Sequence, residues 1–122
     1  MKSLDKALLA ADIIMERKAV DPVLFNIGGM TSFADYFLIA GGNSTRQVQS
    51  IGRHLIEKMR EHGFKAFGTE GENEGQWILM DYGDLIIHLF YEPVREFYDL
   101  EGLWMEAPRI EIKHNVPKKD KK

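Results

Sequence analysis

A chain of 122 residues, 44% hydrophobic and 29% charged, is long enough for one compact core, too short for two, and too apolar to stay disordered. It has no cysteine, which excludes disulfides, thiolate metal sites and thiol nucleophiles, and its most apolar runs (37–40 and 85–91) fall far short of the roughly 20 residues of a membrane helix. Lys and Arg number 16 against 19 Asp and Glu, but five of the lysines and one Asp lie at 113–122, so residues 1–112 carry a net −7 and match a phosphate backbone poorly. These features read as a soluble, cytoplasmic single domain over 1–112, followed by a basic, disordered tail over 113–122. An acidic domain of this kind suits a basic protein partner.

Residues 2–18 read as a helix, with Leu4, Leu8, Ala11 and Met15 on one face. Asp21-Pro22 stops it, because the residue before proline is pushed out of the helical region. A short strand follows at 23–27. The nearly all-apolar segment 35–40 predicts a strand buried on both faces of a sheet. Ser44-x-x-Gln47 then forms a capping box, with Asn43 as a competing cap, and opens a helix whose inward stripe is Val48, Ile51, Leu55 and Met59. His62-Gly63 closes it. Residues 64–67 suggest a strand and 68–75 an acidic, glycine-bearing loop. Residues 76–81 and 85–91 predict an antiparallel hairpin around Tyr82-Gly83-Asp84. Pro93 opens a last helix whose face is marked by Val94, Phe97, Leu100 or Glu101, and Trp104, and 109–113 adds an edge strand. This order describes an α/β fold: one domain, a mixed β-sheet and helices packed on it.

Motifs for catalysis are weak. Gly28-Gly29 and Gly41-Gly42 lack the further glycines and the lysine of a phosphate-binding loop, so strand-to-helix turns explain them better. The histidines at 54, 62, 88 and 114 have no metal-ligand spacing, and Ser44 is better read as a cap than as a nucleophile. Asp81 and Asp84 end a strand, where carboxylates can hold magnesium for phosphoryl transfer, but they sit three apart in a turn that favours Asp anyway. A nucleotidyltransferase-like enzyme is thus the alternative, and no catalytic, cofactor or metal site is assigned.

The apolar residues say more. Alternation in 76–81 sends Trp77 and Leu79 to one sheet face and Ile78 and Met80 to the other. A small domain cannot cover both faces of every strand. An open face with aromatics and methionine, rimmed by acid, has the composition of a protein-binding surface.

Three segments are recognisable: 31–49, TSFADYFLIAGGNSTRQVQ; 75–90, GQWILMDYGDLIIHLF; and 95–104, REFYDLEGLW. Together they closely resemble the Iojap family, the ribosomal silencing factors of bacteria and organelles, over residues 4–107. Gly42 and the lysine-rich tail depart from the family pattern. The resemblance implies a reduced nucleotidyltransferase-like fold without the catalytic acids. It also implies binding to the fourteenth protein of the large ribosomal subunit, steric exclusion of the small subunit, and lowered translation in starvation or stationary phase. A role in large-subunit biogenesis is a further implication, and a homodimer of the free factor is expected because its apolar face would otherwise stay exposed. On this reading Trp77, Met80 and Tyr82 are apolar anchors, Asp81, Asp84 and Glu96 pair with basic groups, and His88 joins them. Trp77 is expected to be an exposed anchor whose truncation leaves stability nearly intact.

Overall fold

The computed structural model describes residues 2–112; the basic tail lies outside the described residues. Four helical segments and six strands follow one another as α1 (Ser3–Glu16), β1 (Val20–Asn26), β2 (Tyr36–Gly42), α2 (Thr45–Glu61), β3 (Gly68–Glu70), β4 (Trp77–Asp81), β5 (Leu85–Tyr91), α3 (Glu92–Tyr98), α4 (Leu100–Leu103) and β6 (Arg109–Ile110). The strands form one mixed sheet in the order β3-β4-β5-β2-β1-β6. β2 and β5 run parallel at its centre, from Tyr36 opposite Leu85 to Gly42 opposite Tyr91. The other described pairs are antiparallel. This is the expected α/β architecture, with the predicted hairpin formed by β4 and β5.

α1 and α2 cover one sheet face. α1 presents Ala7, Ala10 and Ala11 with Ile13 and Ile14, so small side chains let its backbone lie close to its neighbours. α2 buries Val48, Ile51, Leu55 and Met59, the predicted stripe, together with Gly52. Its start resolves the competing caps: Ser44 Oγ accepts from Gln47 N at 3.0 Å, while Gln47 Oε1 accepts from Asn43 N at 2.6 Å. Beneath these helices lie Leu24, Leu38, Ala40, Ile78, Met80, Ile87 and Leu89. On the other face Phe25, Ile27, Phe37, Ile39 and Phe90 are covered by Ala34, Val94, Leu100, Trp104 and Ala107.

Four expectations need correction. Of the stripe expected on α1 only Ala11 is buried, while Leu4, Leu8 and Met15 stay partly exposed because the helix turns its alanines with Ile13 and Ile14 inward. Residues 64–67 are not a strand: Phe64 N closes the α2 C-terminus by donating to Met59 O, and the chain first meets β4 at Phe67, whose N–H donates to Asp81 O at 2.7 Å. Edge strand β3 therefore occupies the first three residues of the supposed loop. The strand at 23–27 starts earlier, at Val20, across a bulge in which Asp21 has φ 45°. The last helix is not continuous. Asp99, at φ 46°, breaks it, and Phe97, expected to face inward, is 80% exposed.

The break has an electrostatic cause. Arg95 is buried, and its guanidinium donates to both Glu101 oxygens at 3.0 Å, to Val20 O at 3.0 Å and to Asp21 O at 2.7 Å. An unbroken helix would carry Glu101 away from that fork. Gly41 lies below the same cluster, where a Cβ would run into the Glu92 carboxylate. Arg95→Met leaves the Val20 and Asp21 carbonyls and the carboxylates of Glu101 and of Glu92, which Arg95 also pairs with at 3.4 Å, without this donor. It should cost about 3 kcal/mol of stability, whereas Arg53→Met on the exposed side of α2 should change it by less than about 0.5 kcal/mol. Urea unfolding of the two variants measures both.

Candidate functional site

The sheet face away from α1 and α2 is incompletely roofed. In register across it lie Trp77 and Leu79 on β4, Ile86, His88 and Phe90 on β5, and Phe37 and Ile39 on β2. α3 lies over β5 and β2, and α4 and the segment before β2 extend the cover. Toward β3, Trp77 and Leu79 remain partly exposed and line a cleft of about 260 Å³ with Glu70 and Gly71.

Aromatic rings connect this face. Trp77 packs on Phe90 and Tyr98 with centroids 4.8 and 5.0 Å apart, and Tyr98 meets Phe97 at 5.0 Å. His88 meets Phe37 edge-on at 4.8 Å, and Phe37 meets Trp104 at 5.2 Å, with Phe33 beyond. Much of the rim is open to solvent: Phe33 is 56% exposed, Phe97 80%, Leu103 73% and Met105 71%. An apolar rim this exposed on so small a domain has the character of a docking surface. Glu96, Asp99 and Glu106 are exposed along the helical rim, and Glu70, Glu72 and Glu74 along the β3 side. A hydrogen bond from Thr69 holds the Glu72 carboxyl below its ordinary pKa, so this edge stays charged.

The residues expected at the site divide. Trp77 and Glu96 are accessible, but Trp77 is only partly exposed and is not the free anchor expected. Its indole Nε1 donates to His88 Nδ1 at 3.1 Å, so truncating it removes packing as well as surface. Met80 and Tyr82 are corrected: both point into the α1–α2 side, at 0% and 2% exposure, and offer no surface. Strand alternation already separates Met80 from Trp77. The Tyr82 hydroxyl is buried without a partner among the described residues, and burial raises its pKa.

Asp81 and Asp84 serve the hairpin. Asp81 Oδ1 accepts from Gly83 N at 2.8 Å, fixing a turn in which Gly83 has φ 88°. Asp84 accepts from Ser3 Oγ and pairs with Lys6 Nζ at 2.7 Å, while Lys6 also donates to Tyr82 O at 2.9 Å. Burial pushes the Asp84 pKa up, but Lys6 and Ser3 outweigh it and hold the carboxyl below its ordinary value. Asp84 thus ties the hairpin to α1, which corrects its reading as a group free to pair with a partner. Among the described residues no group of three or more His, Asp or Glu could hold a metal ion, and no helix is long and apolar enough to cross a membrane. His88 is only 4% exposed, so it cannot itself reach a partner as expected.

The sequence reading missed Phe33, Leu79, Tyr98, Leu103 and Met105 as rim residues. A signal was present for most: seven of the twelve residues at 94–105 are apolar, more than one helical stripe can bury.

The family model for "Ribosomal silencing factor during starvation" matches residues 1–122. The chain belongs to this family. A relative in Halalkalibacterium halodurans named Ribosomal silencing factor RsfS is 38% identical over 104 residues, covering 85% of this chain and 89% of that one. The mouse protein named Mitochondrial assembly of ribosomal large subunit protein 1 is 29% identical over 100 residues, covering 79% of this chain and 43% of that one. A Chromobacterium violaceum crystal structure superposes with a TM-score of 0.84 at 29% identity, covering 96% and 95% of the two chains. The fold is therefore that of the silencing-factor family.

Two measurements test the placement of these residues. Tyr82→Phe removes an unpartnered buried hydroxyl and should leave stability unchanged or slightly raised, whereas Met80→Ala should cost about 2–5 kcal/mol. Thermal melting of both variants checks this. Burial lowers the His88 pKa from 6.5 to about 4, so the unfolded chain binds the proton more readily than the folded one. The stability owed to neutral His88 is complete above pH 6.5 and is lost as pH falls toward 4. The loss amounts to about 3 kcal/mol. Urea unfolding from pH 7 to 4.5 should show it in the wild type and a flatter dependence in His88→Asn.

Proposed function

We propose that this silencing-factor domain binds the large ribosomal subunit through its fourteenth protein, covers the surface that receives the small subunit, and so represses translation when growth stops. The observation that carries this reading is the half-roofed sheet face. Its apolar rim of Trp77, Leu79, Phe97, Tyr98, Leu103 and Met105 is exposed in the free chain and bordered by acid. Trp77 and Phe97 serve as anchors, since aromatic side chains dominate binding at such centres. Glu96, with partly exposed Asp81 less directly, faces basic groups of the partner. The net −7 of residues 1–112 favours a basic ribosomal protein and disfavours direct contact with ribosomal RNA. The function is steric and needs no chemical step, and the protein works in the cytoplasm, where the subunits meet. A homodimer of the free factor would shield the same rim. A role in large-subunit biogenesis uses the same surface and is favoured by the mitochondrial relative's name.

Mixed with purified subunits, the protein should hold them apart on a sucrose gradient and bind free large subunits better than joined couples. Equal binding to couples would contradict steric exclusion. Phe97→Ser and Glu96→Lys should each weaken subunit binding with the melting temperature unchanged, the first by about 2 kcal/mol as for a hot-spot aromatic. Raising salt should slow association more than it speeds dissociation.

A further inference from the structure

His88 is a polar residue buried in the sheet face that the docking reading uses, yet too enclosed to touch a partner. In the strand register it lies between Ile39 on β2 and Leu79 on β4, which makes it the diagonal neighbour of Trp77. Aromatic side chains bridge that diagonal. An indole nitrogen only donates, so the imidazole nitrogen facing it at 3.1 Å must carry no proton. The ring is thereby assigned to its neutral form with the hydrogen on Nε2, an atom buried without a partner among the described residues. An apolar side chain would fill this place without leaving such an atom unpaired, so packing alone does not account for a histidine here.

We propose that His88 is a positioning residue for Trp77: by accepting the indole N–H it fixes the ring plane against Phe90 and Tyr98, so that the outer edge of Trp77 is presented in a preformed cleft beside Leu79 and Glu70. The proposal deepens the docking reading and rests on it for its consequence in binding, although not for the hydrogen bond itself. A side chain held in its bound orientation loses less conformational freedom on association, which is where the gain in affinity arises.

The wild-type protein supplies the first test. Long-range proton–nitrogen NMR should find His88 in a single tautomer, unprotonated at Nδ1, with the Trp77 indole N–H exchanging slowly. Trp77→Phe identifies that indole signal against the one from Trp104. A proton on Nδ1 would overturn the proposal, whatever any variant does. The second test compares His88→Leu, which removes the acceptor, with His88→Asn, whose Oδ1 can stand where Nδ1 stands. The leucine variant should lose the protected indole signal and bind large subunits about tenfold more weakly, of the size expected when an anchoring aromatic is compromised. Asparagine should restore both. Loss of the signal with equal binding by the two variants would overturn the positioning role. If Trp77→Phe itself binds as the wild type does, the docking reading fails at Trp77, while the tautomer measurement still decides whether His88 holds the indole.

Discussion

The pairing of β2 with β5 constrains everything around it. Parallel strands cannot be joined by a tight turn, so the chain must cross over between them, and here the crossover contains α2, β3 and β4. Both strands are almost wholly buried, which requires cover on both faces of the sheet. α1 and α2 supply two long helices on one side. The opposite side receives two short helical pieces and the segment before β2, and they roof only part of it. The open area lies toward β4 and β3 because the cover lies over β5 and the strands beyond it on the β2 side.

That imbalance links packing to the proposed docking face. The unroofed strip exposes Leu79 and one edge of Trp77, and the kinked α3–α4 cover turns Phe97, Leu103 and Met105 outward instead of inward. The kink is maintained by Arg95, whose fork joins Glu101 to the carbonyls of Val20 and Asp21. A fork of this kind holds direction as well as charge. On the other side, Lys6 and Ser3 grip Asp84 and make the hairpin and α1 one unit. The proposed docking face is therefore framed by two ion-pair nodes, one holding its helical rim and one holding the hairpin that carries Trp77 and His88. Acidic side chains around the rim remain exposed, and they fit a basic partner better than a nucleic acid.

Local chemistry determined much of this from sequence alone. Strand alternation placed Trp77 opposite Met80, the apolar run at 35–40 announced a central strand, and Ser44, Gln47 and Gly63 marked the ends of α2. Each depends on a few neighbouring residues, so the one-dimensional pattern carries it. The long segments shared with the silencing factors likewise pointed to the family. The tertiary structure decided what depends on residues distant in the chain. Only there do Arg95 and Glu101 meet the start of β1 and break the last helix, and only there does Lys6 claim Asp84, 78 positions away. Burial of Tyr82 depends on α1 lying over it, and the position of His88 behind Trp77 depends on the register of β4 against β5. Periodicity tells which residues share a face; which face remains open is settled by how much cover the distant parts of the chain supply.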